Sequence, residues 1–374
     1  LKIKSIFQSY FRGVDWGLIT CVLCLSVIGF FVIYSATIHG GEVSQIWKKQ
    51  MFWFGISLIT MWVFSKIDYR FWMEASYIFY FVSIVSLLAV LFIGDQTNGA
   101  RRWIKLGIIS YQPSELAKLS VLLVLARYIG SQTIELYFLR RFFLLLFLLV
   151  VPLLLILKQP DLGSALLLIP VSFILMYVGG IRVRWLIWVG LMALASTPLI
   201  WHFLKDYQRE RLAVFIDPQD DPLGAGYNII QSVIAIGSGG ISGKGYMQGT
   251  QTQLSFIPEH HTDFIFSVVG EEWGFVGCVF VLGFYYFMIQ RIFEISKKAR
   301  DREGALLALG IAGMFTVQII INVGMTVGLL PVTGLTLPFI SYGGSSLMFS
   351  YAAIGILLNI SYANRRPVLI TGKG

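Results

Sequence analysis

Nineteen residues, Phe256 to Gly274, hold Glu259, Asp263, Glu271 and Glu272 together with His260 and His261, two of the chain's four histidines. Carboxylates and imidazoles are the groups that move protons near neutral pH, and in an otherwise apolar chain their concentration is costly unless it serves a purpose. Asp263 is the sharpest candidate. It immediately precedes Phe264-Ile265-Phe266, where a polar segment meets an apolar run, so its carboxylate is expected at a membrane boundary. There it could act as a base on a substrate with a head in water and a tail in lipid. A capping role for Thr262 and Asp263 at the start of the following helix accounts for the pair equally well on local grounds. Glu259, His260 and His261 supply more ionisable company than a cap requires. Adjacent histidines point to different sides and no third lies nearby, so they are not read as a metal site.

Three further segments could line the same space. Gln112-Pro-Ser-Glu-Leu-Ala-Lys118 opens an apolar run with a proline suited to a helix start. Glu115 and Lys118, three apart, share a helix face, as an ion pair, as the lining of a polar cavity, or both. Lys158-Gln-Pro-Asp161 opens another run, with Asp161 placed as a helix cap or a binding group. Leu337-Pro-Phe-Ile-Ser-Tyr-Gly-Gly-Ser-Ser346 reads as a broken loop bringing backbone groups, Ser341 and Tyr342 into a cavity. Arg101, Arg102 and Lys105 in one loop, and Arg209 and Arg211 in another, lie where the positive-inside rule predicts few cations. A bound phosphate or pyrophosphate accounts for them, because guanidinium matches phosphate oxygens bidentately. Rim salt bridges with Asp95 or Glu210 are the plain alternative.

The elements that must position these residues follow from composition. Of 374 residues, 56% are hydrophobic and only 13% charged, against ~25% charged in soluble domains, and the mean hydropathy is +0.75. The chain is therefore expected to be an all-α polytopic membrane protein. Apolar runs of spanning length occur at 16–37, 46–65, 72–93, 114–130, 142–157, 163–180, 184–204, 264–290, 304–330 and 343–363, about ten transmembrane helices. Placing both termini in the cytoplasm puts eighteen of the 29 Lys and Arg on the inner side, as the positive-inside rule requires. Residues 94–113 and 205–262 then become external, the second being a large extracytoplasmic loop between helices seven and eight. Its Ile236–Gly245 stretch is glycine-rich and is read as a turn rather than a phosphate loop, since it lacks the strand-to-helix context. The first apolar run is too long for a cleavable leader and is expected to remain as the first span. The net charge of +9 serves orientation and not nucleic acid, and Cys21, Cys24 and Cys278 read as small core residues. Residues 1–374 form a single membrane domain.

The five ordered segments, Asn98-Gly-Ala-Arg-Arg-Trp-Ile104, Gln112–Lys118, Gln159–Gly163, Pro258–Phe266 and Pro338–Ser346, resemble those of the SEDS proteins (shape, elongation, division and sporulation). The Arg-Arg and His-His pairs are nearer to the elongation members, RodA, than to the division members, FtsW. The resemblance covers essentially the whole chain. It implies a peptidoglycan glycosyltransferase that polymerises lipid II on the outer face of the bacterial plasma membrane, in cell elongation and shape. It also implies that Asp263 is the catalytic carboxylate and that undecaprenyl pyrophosphate leaves. Arg102, Arg209, Arg211 or a divalent cation, magnesium or manganese, would stabilise the developing charge. Glu115, Lys118, Asp161, Glu259, His260, Ser341 and Tyr342 complete the expected substrate-binding set. The implied partners are a class B penicillin-binding protein, other membrane proteins of the elongation complex, lipid II and membrane lipids. A lipid II flippase, whose polar residues would run through the full membrane depth, and a non-catalytic scaffold, which has no need of Asp263, are the alternatives.

Overall fold

The computed structural model describes residues 14–38, 45–97, 100–107, 109–131, 138–196, 209, 214, 226–254, 256–257 and 261–364. Each expected apolar run coincides with a helix. These are α1 (Trp16–Thr37), α2 (Ile46–Lys66), α4 (Ser76–Ile93), α5 (Pro113–Gly130), α6 (Phe138–Lys158), α7 (Leu162–Val178), α8 (Val183–Ala195), α11 (Ile265–Lys297), α12 (Arg302–Thr326) and α13 (Gly344–Asn364). Short helices α3 (Tyr69–Glu74), α9 (Tyr227–Ser238) and α10 (Thr250–Gln253) fill the connections. By length and composition six helices can cross a membrane: α1, α4, α6 (from Arg140), α11, α12 and α13. Much of the seventh expected run past Ala195 lies outside the described residues, as does much of the 205–262 loop.

Helix α5 sits in the middle. It packs against α4, α6, α7, α12 and α13, and all but four of its residues are buried. Around it α13 runs along α2, and α11 lies between α1 and α12. The outward faces carry Phe81, Phe92, Trp188 and Phe275, apolar side chains that a bilayer accepts at no cost.

The all-α expectation is corrected in one place. Residues 95–111, read as loop, form a three-stranded antiparallel meander of β1 (Asp95–Thr97), β2 (Ala100–Leu106) and β3 (Ile109–Tyr111). Trp103 pairs with Asp95 across a bulge, and Ile104 with Tyr111. The strands are short and β2 carries three cations, so no clean apolar alternation marked them.

Helix α11 breaks at Gly274, whose φ of 66° and ψ of −163° are not helical. In lipid an interrupted helix must have its backbone groups satisfied by protein, and the glycine-rich stretch supplies them. Lys244 and Gly245 N–H donate to the carbonyls of Glu271 and Glu272 at 3.0 Å each, while Phe275 and Val276 N–H donate to those of Gly240 and Ile241 at 2.9 and 3.1 Å. The glycines approach a neighbouring backbone and not a ligand. A Cβ at Gly243, where φ is +79°, would lie 2.1 Å from the Glu272 carbonyl oxygen.

Glu271 and Glu272 lock this joint. Glu271 accepts from Lys244 Nζ (2.7 Å), Thr250 Oγ1 (3.2 Å), the N–H groups of Gln251 and Thr252 (2.8 and 3.1 Å) and Thr252 Oγ1 (3.0 Å). Glu272 accepts from the Ser35 hydroxyl of α1. Both are support for the fold, tying the loop and α1 to α11.

Gly243→Ala should therefore lower the apparent unfolding temperature of the detergent-solubilised protein by several degrees, since a strained φ alone costs about 1–3 kcal/mol and the clash adds to it. Gly237→Ala, where nothing lies within 4 Å of the added Cβ, is the control and should leave it unchanged or slightly higher.

Candidate functional site

The starts of α2, α5, α7 and α13, the ends of α1, α4, α6 and α12, and the sheet all lie at one end of the bundle. A cavity of about 1050 Å³ opens among them, lined by Lys48, Lys49, Arg102, Glu115, Asp161, Asp263 and Tyr342 among others. All five segments that sequence alone singled out thus meet at one space: the sheet, the Gln112–Lys118 start of α5, the Gln159–Gly163 turn, the approach to α11 and the Pro338–Ser346 loop.

Asp263 is not a helix cap. The N-cap of α11 is Phe264, with no side-chain cap bond, and the hydroxyl of Ser267 folds back onto the Phe264 carbonyl at 2.6 Å. The Asp263 carboxylate instead faces Gly334, where φ is +75° and a Cβ would lie 3.5 Å from Oδ2. Its main chain is pinned from α12. Asn322, fully buried, donates from Nδ2 to both the Asp263 carbonyl (2.9 Å) and the Leu335 carbonyl (2.7 Å). One amide therefore holds the aspartate and the facing 334–336 strand of backbone in register.

The other expected residues divide. Glu115 lines the cavity and accepts from Lys118 Nζ at 2.8 Å; Lys118, with its side chain 2% exposed, stands behind it as counter-ion and is not part of the wall. Asp161 caps α7, accepting from Ser164 N–H at 3.1 Å, while its buried Oδ2 has no hydrogen-bond partner among the described residues. Arg102 lines the space but its guanidinium is engaged: Nε donates to the Gln159 carbonyl at 3.1 Å and one terminal nitrogen to that of Pro160. It braces the sheet against the turn before α7.

Tyr342 lines the cavity, its N–H donating to the His261 carbonyl at 3.0 Å and its ring centroid 6.0 Å from that of His261. Burial raises its phenol above the ordinary value, so it keeps its proton. Ser341 is corrected to a structural role: its hydroxyl accepts the Leu337 N–H at 2.8 Å, closing the turn, and it does not line the cavity. Arg209 is half-buried and not among the lining residues. Arg211, Glu259 and His260 lie outside the described residues. Among the described residues no three of His, Cys, Asp and Glu come together as ligands for a magnesium or manganese ion.

Comparison with known proteins gives this arrangement its relatives. The model of the FtsW/RodA/SpoVE family, described as cell cycle protein, matches residues 15–366. The chain is a member of that family.

Peptidoglycan glycosyltransferase MrdB of Escherichia coli K12 is 39% identical over 348 residues, 92% of this chain and 93% of the relative. Stage V sporulation protein E of Bacillus subtilis is 35% identical, covering 94% of this chain and 98% of its own. Among solved structures, a chain from a peptidoglycan synthase complex that coordinates polymerization and crosslinking superposes with a TM-score of 0.80 at 37% identity, covering 95% of this chain and 99% of that one. The rod shape determining protein RodA of Thermus thermophilus gives 0.72 at 32% identity, covering 95% and 98%. As a member of the FtsW/RodA/SpoVE family the chain is a multi-pass protein of the bacterial plasma membrane.

Two sets of site residues escaped the sequence reading. Lys48 and Lys49 open α2 and line the cavity; their signal is two adjacent charges at the head of an apolar run. Asn322 is neutral and lies inside an apolar run, so a search for ionisable groups passes over it.

The Glu115–Lys118 pair is buried, and removing one partner of such a pair costs about 3–5 kcal/mol. Lys118→Glu should markedly lower the unfolding temperature, and Glu115→Lys added to it should recover part of the loss; absence of recovery would show that the two do not act as a pair.

Proposed function

We propose that this peptidoglycan glycosyltransferase builds glycan strands from lipid II on the outer face of the plasma membrane, with Asp263 as the general base. The observation that carries the reading is the setting of Asp263: it lines the cavity, lies outside the N-cap position of α11, and is held by Asn322 against the loop it faces.

The chemistry that this setting supports is an inverting substitution. The 4-hydroxyl of the acceptor sugar attacks the anomeric carbon of the donor, its proton passing to the Asp263 carboxylate. The bond from that carbon to the diphosphate breaks, and undecaprenyl pyrophosphate leaves with the electron pair. The bond to its backbone carbonyl fixes the base in place, and positioning of this kind lowers a barrier. The orphan Oδ2 of Asp161 is a ready acceptor for a substrate hydroxyl or amide, and the protonated Tyr342 a ready donor.

The cavity's position favours this over a flippase. Its lining comes from one end of the bundle, the end the positive-inside rule places outside. At the other end three cations are tied in: Arg291 to Asp15 at 2.6 Å, Arg70 to Asp301 at 3.3 Å, and Arg127 to the Met73 carbonyl at 2.5 Å. A scaffold would need no pinned carboxylate. The likeness to a chain from a complex that joins polymerization to crosslinking supports a class B penicillin-binding protein as partner, and the sequence's own Arg-Arg and His-His pairs support a role in elongation and shape.

Purified protein with its transpeptidase partner should polymerise lipid II, and Asp263→Asn should abolish this while the complex still assembles; undiminished polymer would remove Asp263 from the mechanism. Asn322→Leu deletes both carbonyl contacts and should lower kcat about ten- to a hundredfold, with little change in KM, as expected for lost hydrogen bonds to a positioned group. A change confined to KM would place Asn322 in binding instead.

A further inference from the structure

Four cations line the cavity: Lys48, Lys49, Arg102 and Lys105. Two of them are spent within the protein. Arg102 donates to the carbonyls of Gln159 and Pro160, and Lys105 pairs with Asp95 at 3.3 Å. Lys48 and Lys49 are exposed, and among the described residues neither has a carboxylate partner; Lys48 alone is near a ring, that of Trp47, at 5.7 Å. Two adjacent ammonium groups repel each other, and both stand in the first turn of α2, where the helix's own positive end opposes them. A bound anion would relieve both costs. One turn deeper on α2, four residues beyond Lys48 and Lys49 respectively, stand Phe52, which is 57% exposed, and Trp53, which is 8% exposed and presents only its cavity edge. Both aromatics also line the cavity. Cations at the mouth with aromatic surface directly beneath them suit an amphiphile carrying phosphate on an apolar tail.

We propose that Lys48 and Lys49 are the subsite for the diphosphate of the lipid-linked donor, with the first part of its polyprenyl chain lying over Phe52 and Trp53. This rests on the polymerase reading and moves the anion-binding role expected of Arg102 onto α2. In the transfer, the two ammonium groups hold the diphosphate as the bond to the anomeric carbon breaks and the departing oxygen takes the electron pair, while Asp263 takes the acceptor's proton. Charge that grows on the leaving group then meets two cations at the cavity mouth, which stabilises the transition state.

The test measures binding of undecaprenyl pyrophosphate to the full chain with its partner by native mass spectrometry, alongside polymerisation of lipid II. Lys48→Gln with Lys49→Gln should weaken undecaprenyl pyrophosphate binding about tenfold or more and raise KM for lipid II, and Lys48→Arg with Lys49→Arg should restore most of both. Unchanged affinity in the glutamine variant overturns the proposal. An equal loss of phosphatidylglycerol overturns it too, because the site would then be a general phospholipid contact. Inorganic pyrophosphate competing as well as the lipid-linked form would remove the role given to Phe52 and Trp53. Asp263→Asn should bind undecaprenyl pyrophosphate normally while making no polymer, so failure of the base assignment and failure of the lysine subsite show up in different measurements.

Discussion

Within a bilayer no water is available to satisfy a polar group, so each one must find its partner in the chain. Most of the irregular features of this protein answer that demand. The break in α11 is filled by the backbone of residues 240–245. The turn at 337–341 dips between helices with its carbonyls and N–H groups taken up by side chains: the Tyr285 hydroxyl donates to the Pro338 carbonyl at 2.5 Å, and Gln50 donates to that of Ser341 at 3.3 Å while accepting from Gly343 N–H at 3.4 Å. Gly29 makes room for it, since a Cβ there would meet the backbone of Ile340 at 2.8 Å. The segments on either side of that turn, Gly334–Thr336 and Tyr342–Gly343, are non-helical backbone that lines the cavity.

That accounting also separates residues that work from residues that hold. Glu271, Arg102 and Lys118 are charged and are consumed by internal partners. Lys48 and Lys49 lack a carboxylate partner among the described residues, and the buried Oδ2 of Asp161 lacks a hydrogen-bond partner there. Charge near a cavity is a weak sign of function until its partners have been counted.

The helices were legible in sequence because a membrane span writes itself as an unbroken apolar run, and the site segments because proline, glycine and charge interrupt those runs where polar chemistry is needed. What remained hidden depends on contacts distant in sequence. The role of Asn322 requires knowing that Asp263 and Leu335 come together. The meander required the pairing of Asp95 with Trp103 and of Ile104 with Tyr111, which three- to seven-residue strands rich in cations do not announce. The break at Gly274 looked like any glycine in an apolar run. That Phe264, and neither Thr262 nor Asp263, occupies the cap position of α11 shows only in the folded chain.

That break has a further effect on α11. A continuous helix fixes the rotational phase of every side chain along it, so that 100° of error at one end reappears at the other. The positive φ at Gly274 breaks the helix there and resets the phase. The segment from Ile265 to Trp273 takes its phase from the joint that Glu271 and Glu272 make with the loop and with Ser35, and the segment from Phe275 to Lys297 from the link between Arg291 and Asp15 at the far end. The two halves therefore need not share one register.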